Sequence, residues 1–249
     1  MNIRDYLVKM GYTLISEEYY KKMKTWESWY KGFFEQFHRY SIYNGTDTIT
    51  RTRASMNSAK MGCEYWANLL WNQDCYITVD SSNIKQSLSK RILKTFKRDN
   101  DNASQILINV VLEHNKFNSQ FNSMCEKAFA TGVGGIVVHD NTIDFVEYSG
   151  IHPLSYKNGQ VESCAFSTVF SHIKHGTCIY LMIHVKQDNK KYKVSNKFFK
   201  LDNDNITEFT KEEFKSMKVQ ESFETNTKRF TILKPNIANN VDSNNPLRS

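Results

Sequence analysis

The sequence is poor in proline (3 residues) and glycine (10) over 249 positions, too few for a collagen-like, linker or low-complexity chain. Its five cysteines, Cys63, Cys75, Cys125, Cys164 and Cys178, are odd in number and scattered, with no C-x-x-C pair. That spacing argues against a disulfide framework and points to a reduced, cytoplasmic chain. No apolar run reaches the length a helix needs to cross a bilayer. The opening residues, MNIRDYLVKMGY, mix acidic and basic side chains into one short apolar patch and do not read as a signal peptide. Also missing are a GK[ST] phosphate loop, metalloprotease, glycosidase and nucleophile-elbow signatures, and any helix-turn-helix, zinc-finger or RNP pattern. No residue is nominated as catalytic, cofactor-binding or metal-binding, and the chain is not expected to be an enzyme.

What is present argues for a folded protein. Hydrophobic residues make up 40% and aromatics 13%, enough to bury a core in a chain of this length. The formal net charge of +7 suits a polyanionic neighbour or simple solubility equally well.

Apolar spacing of three and four from Glu17 to Phe37 (Tyr19, Tyr20, Met23, Trp26, Tyr30, Phe33, Phe34, Phe37) predicts a helix, with Gly32 as a weak point. A turn-rich stretch, SIYNGTDTIT, follows. In RTRASMNSAKMGCEYWANLLW (Arg51 to Trp71), Met56, Ala59, Cys63, Trp66, Ala67 and Leu70 keep helical spacing, with Ser55 as N-cap. Met56, Cys63, Trp66 and Leu70 are expected to form its buried stripe. CYITVD reads as a short strand, and Ile84, Leu88, Ile92, Leu93 and Phe96 mark one side of a further helix. Residues Ala103 to Ala130 predict one helix, or two with a break near Asn118, ending at the glycines of TGVGG.

After Gly135 the texture becomes β-rich. GIVVHDNTIDFVEY predicts two strands around His139-Asp140-Asn141. VESCAFSTVFSHI, TCIYLMIHVK and KYKVSNKFF predict an antiparallel meander, divided by KHG and QDNK. A brief helix over Lys211 to Met217 and a strand RFTILKP complete the pattern. The expected class is α+β: a mainly helical part over residues 1–135, a β-rich part over 136–234 and an irregular tail over 235–249.

Four chemistries bear on these elements. In TGVGGIVV the glycines follow a helix and precede a strand, the reverse of a dinucleotide fingerprint, so they read as a turn. Cys164, His172, His175, Cys178 and His184 match no zinc module's spacing, and Cys63 on an apolar stripe reads as a small hydrophobe. KRILKTFKR is the densest basic run. On a helix, Lys90, Arg91, Lys94, Lys97 and Arg98 would make a face able to touch nucleic-acid phosphates, which gives a second functional reading: a stand-alone nucleic-acid-binding protein.

Five segments, taken in order, resemble portal proteins of tailed bacteriophages of the type found in phages and prophages of Gram-positive bacteria. They are W-x-x-W-Y-x-G (Trp26, Trp29, Tyr30, Gly32), R-x-R-x-S-M-N-x-A-K-x-x-C-E-x-W-A-x-L (Arg51 to Leu69), and the helix leading into TGVGG. IHPLSYKNGQVESCAF (Ile151 to Phe166) and KPNIANNVDSNNPL (Lys234 to Leu247) complete the series. The resemblance implies a subunit of a homo-oligomeric ring, typically twelve-fold, at one capsid vertex, through which DNA is packaged and to which the tail joins. Implied partners are other portal subunits, capsid and scaffold proteins, the terminase large subunit and double-stranded DNA, with no membrane and no cofactor. The implied location is the virion, with the host cytoplasm during assembly. In relatives the N-P-L segment is followed by a glycine and the stem helices; here Arg248 and Ser249 follow. The resemblance therefore implies an N-terminal, wing-like portion, truncated before the stem and the clip that docks terminase. On the signature helix it leaves Arg51, Arg53, Lys60 and Glu64 as candidates for polar or inter-subunit contacts.

Overall fold

The computed structural model describes residues 2–72, 74–78, 100–139, 141–188, 191–203 and 205–235. The fold is α+β. Its helices are α1 (Ile3–Lys9), α2 (Glu17–Tyr30), α3 (Glu35–His38), α4 (Ser58–Leu70), α5 (Asn100–His114), α6 (Phe117–Thr131) and α7 (Lys211–Ser216). The first strands are β1 (Arg39–Tyr43), β2 (Thr48–Thr52), β3 (Gly134–His139), β4 (Thr142–Glu147), β5 (Ile151–Lys157) and β6 (Gln160–His172). The remainder are β7 (Gly176–Lys186), β8 (Tyr192–Asp202), β9 (Asn205–Glu208), β10 (Ser222–Thr225) and β11 (Phe230–Leu233).

The meander expected from the sequence forms the large sheet. Its strands run β10-β8-β7-β6-β5, all antiparallel, with β9 also on β8. The near-continuous apolar run of β7 follows from burial on both faces. Ile179, Leu181 and Ile183 point to one side, where Ile3 and Leu7 of α1 join them in a core. Met182 points to the other, with Phe166 of β6, Val137 of β3, Phe230 of β11 and Met23 of α2. A smaller sheet, β11-β3-β4, supplies part of that second layer. The separate strand expected at RFTILKP forms as β11 and pairs with β3, residue Phe230 opposite Val137.

The helical part departs from its expected pattern in three places. The helix predicted over Glu17 to Phe37 ends at Tyr30. Gly32 stands at φ +81°, a left-handed backbone that stops α-helical propagation, and α3 restarts at Glu35. The turn-rich SIYNGTDTIT is a β-hairpin: Asn44 Oδ1 accepts from the amides of Thr46 (3.0 Å) and Asp47 (2.8 Å), closing the turn between β1 and β2. Of the strand expected at CYITVD, Cys75–Thr78 are irregular and the rest lies outside the described residues.

The break predicted near Asn118 falls at Lys116, which sits at φ +47° between α5 and α6. Helix α6 then ends as expected at Gly132, in left-handed conformation at φ +85°. It leads directly into β3, and its packing fixes the identity of Gly134. A Cβ there would lie 2.5 Å from Met124 Sδ. The glycines of TGVGG serve a tight helix-to-strand passage inside the core, as the order of elements implied.

Candidate functional site

The segment from Arg51 to Trp71 enters from the β-hairpin and becomes α4. Its N-cap is Asn57, not Ser55: Asn57 Oδ1 accepts from the Lys60 amide at 3.1 Å. Ser55 instead meets the buried His38, whose Nε2 lies 2.8 Å from the serine Oγ. Asn57 also reaches back to the end of α2, donating from Nδ2 to the Tyr30 carbonyl at 2.8 Å. Tyr30 in turn donates its hydroxyl to Glu126 of α6 at 2.5 Å, and that burial and negative neighbour push the phenol's pKa upward. The same surroundings, burial first and then Glu126 and Glu64, raise the Cys63 thiol, which is the reverse of what a nucleophile needs.

Helix α4 packs on α6. Asn122 of α6 donates to the Asn68 side chain (3.0 Å) and to the Trp71 carbonyl (2.5 Å). Trp71 stacks edge-on against Phe121, with centroids 5.0 Å apart. The side chain fully removed from water is Ala67. The expected buried stripe is therefore corrected: Met56 is 79% exposed, Trp66 56% and Leu70 also exposed, while Cys63 is half-buried. Helical periodicity gave the right spacing but not which side faces the protein. Met61, Tyr65 and Leu69 extend the exposed apolar surface along the same helix.

The four polar residues of this segment divide into two arrangements. Arg51 is exposed on β2 opposite Tyr40. Arg53 holds its guanidinium over the rings of Tyr40 (4.9 Å) and Phe37 (5.1 Å), so its aromatic stacking steadies the hairpin against α3. Lys60 and Glu64 pair with each other one turn apart at 3.4 Å, an exposed pair that adds little stability. The basic residues Lys90, Arg91, Lys94, Lys97 and Arg98 lie outside the described residues, as does the helix expected around them.

The five Cys and His residues weighed as metal ligands separate into two groups. His172, His175 and Cys178 sit at the β6–β7 turn. The two rings stack with centroids 4.9 Å apart, and the Cys178 thiol donates to the carbonyls of Gly176 (3.6 Å) and His175 (3.9 Å). Cys164 and His184 lie opposite each other far down the same strands. Eight residue steps along β6 take Cys164 to His172, about 26 Å at strand rise. Among the described residues no group of three or more His, Cys, Asp or Glu is placed to hold a metal ion.

His184 is the residue whose surroundings the sequence gave no means to foresee. It is 1% exposed, and among the described residues neither ring nitrogen has a hydrogen-bond partner. Burial, then the charges of Arg229 and His139, pull its pKa down to about 4. It lines a cleft between the large and small sheets, whose far wall is made by residues from β3 and the segment leading into β11.

No protein-family model and no curated protein matches this chain.

Proposed function

We propose that this chain is the wing-like part of a portal subunit of tailed bacteriophages. In this reading it belongs to a homo-oligomeric ring at a capsid vertex, which serves DNA packaging and later joins head to tail. Its work is architectural: it presents surfaces to neighbouring subunits and to capsid or scaffold proteins. The terminase motor and double-stranded DNA engage other parts of such a ring. The virion, after assembly in the host cytoplasm, is the corresponding location.

One observation carries the reading beyond the order of the five segments. The helix bearing the longest of those segments turns Met61, Tyr65, Trp66, Leu69 and Leu70 to solvent while burying only Ala67 completely. Water-exposed apolar surface of this kind on one element marks a face for another macromolecule. In a ring, that face meets a second copy of the chain, and a heterologous contact closes when its rotation divides the circle. The polar pair Lys60–Glu64 and the exposed Arg51 would then border the apolar patch as its rim.

Light scattering across a dilution series, with negative-stain microscopy of the concentrated sample, tests this directly. Concentration-dependent assembly into closed rings is expected, together with its loss in Trp66→Ser/Leu69→Ser. A chain that stays monomeric at every concentration, or whose association ignores those two changes, would remove the α4 face from the proposal.

A further inference from the structure

The cleft beside His184 has the chemistry of a binding site, independently of any ring. Its volume is about 230 Å³. That is below the roughly 300–1,000 Å³ of drug-sized pockets and restricts an occupant to a small molecule. Val138, Met182, Val194 and Phe223 give it apolar walls. Beside Tyr180, its ionisable lining is basic (His139, His184, Lys218 and Arg229) and holds no carboxylate.

Two of these cations are uncompensated. His139 is paired with Asp144, Nε2 to Oδ2 at 2.9 Å. By contrast, neither Lys218 nor Arg229 has an ion pair among the described residues; Arg229 only rests over the Phe223 ring, 5.1 Å from its centroid. The neighbouring polar groups are already committed. The Tyr180 hydroxyl donates to Asn196 Oδ1 (2.9 Å), and Asn196 Nδ2 donates to the Gln220 carbonyl (2.7 Å). That network fixes the cleft floor and leaves the His184 ring as the buried group still lacking a partner. A buried imidazole with two unsatisfied nitrogens is costly unless something in the cleft bonds to it.

We infer that this cleft binds a small carboxylate with a short apolar body, its carboxylate held by Arg229 and the His184 N–H and its body against the apolar walls. The planar guanidinium fork matches a carboxylate in a way the point charge of a lysine does not. A neutral ring, the form in which His184 is held near pH 7, offers one N–H donor to the second oxygen or to a bridging water.

Benzoate is a suitable probe, with benzamide as its uncharged counterpart and inorganic phosphate as an anion without an apolar body. Titration of the intact chain by calorimetry, with the His184 ring nitrogens followed by NMR, should give saturable one-site binding and a shift confined to that ring. Arg229→Gln should weaken benzoate about tenfold or more while leaving the melting temperature within a few degrees. Benzamide should bind more weakly than benzoate by a similar factor. If Arg229→Gln does not fold, Arg229→Lys applies the same criterion, because it keeps the positive charge but loses the planar fork. Absence of saturation, equal binding of benzamide, unchanged affinity in the folded variant, or phosphate competing as strongly as benzoate would each overturn the assignment.

Discussion

Asn57 closes two helices at once. Its Oδ1 caps the first turn of α4 by accepting from Lys60 N, and its Nδ2 donates to the carbonyl of Tyr30, the last residue of α2. The two helices are thereby tied by one side chain, at a point where each has an unsatisfied end. Replacing it by alanine removes both bonds and should cost about 1–3 kcal/mol in urea denaturation. Asn57→Asp keeps the cap but sets a carboxylate against a carbonyl, so it should recover only part of the loss. Full stability in Asn57→Ala would show that water serves both helix ends equally well.

Gly32 approaches the same side chain. A Cβ at this position would lie 2.8 Å from Asn57 Nδ2, and the backbone stands at φ +81°. Gly32→Ala therefore combines left-handed strain with a clash and is expected to lose about 1–3 kcal/mol. The two components separate in a double-mutant cycle. In an Asn57→Ala background the clash disappears and only the backbone term should persist. Strict additivity would mean that Asn57 moves aside at no cost.

Acid should weaken the fold before the carboxylates titrate. Burial first, and then the Arg4 charge, lowers His152 to about 4, and His184 reaches about 4 through its own burial and the Arg229 and His139 charges. Their unfolded values lie near 6.5, so between about pH 6.5 and 4 the unfolded chain binds more protons than the folded one. Stability is then complete above that window and falls as pH drops through it, by on the order of 3 kcal/mol for each histidine. Urea midpoints at pH 7.5, 6 and 5 measure the slope, and His152→Gln should reduce it. A flat profile down to pH 5 would contradict the burial of both rings.

Trp66 offers a test of which way α4 faces. Its ring is 56% exposed and only loosely tilted against Phe129, 6.3 Å away between centroids. A buried tryptophan in a core would lose about 3–5 kcal/mol on truncation to alanine; at this position a loss of about 1 kcal/mol or less is expected. Equilibrium denaturation of Trp66→Ala at low concentration, where association does not contribute, distinguishes the two.

The sheet was legible because its strands announce themselves on both faces. CIYLMIHV in β7 can stay apolar throughout since α1 covers one side and the small sheet the other, and KHG and QDNK mark its ends. Gly132 was legible for a local reason, the left-handed backbone it takes at the end of α6. The α5–α6 break, expected near Asn118 as one of two alternatives, falls instead at Lys116, a residue type that gives no signal of left-handed backbone. The β1–β2 hairpin was not, because RYSIY and TITRT are exposed on nearly every side and burial imposes no alternation on them. The face of α4 was misread because the contact with α6 runs through Ala67, the smallest member of the apolar stripe, rather than through its tryptophan. At the cleft, Arg229 and His184 are brought together by the return of β11 to β3, and no spacing along the chain carries that information.

That return also orders events in time. Phe230 docks opposite Val137, roughly ninety residues earlier in the chain, so the small sheet is completed by a pairing of high sequence separation. A ribosome must release the whole meander before β3 gains its second neighbour. Until then one edge of β3 is an unpaired template, and Phe166, which Phe230 later covers at 5.3 Å between ring centroids, has lost a principal neighbour. Nascent chains shorter than about 230 residues should consequently be the species that chaperones hold and that aggregates recruit.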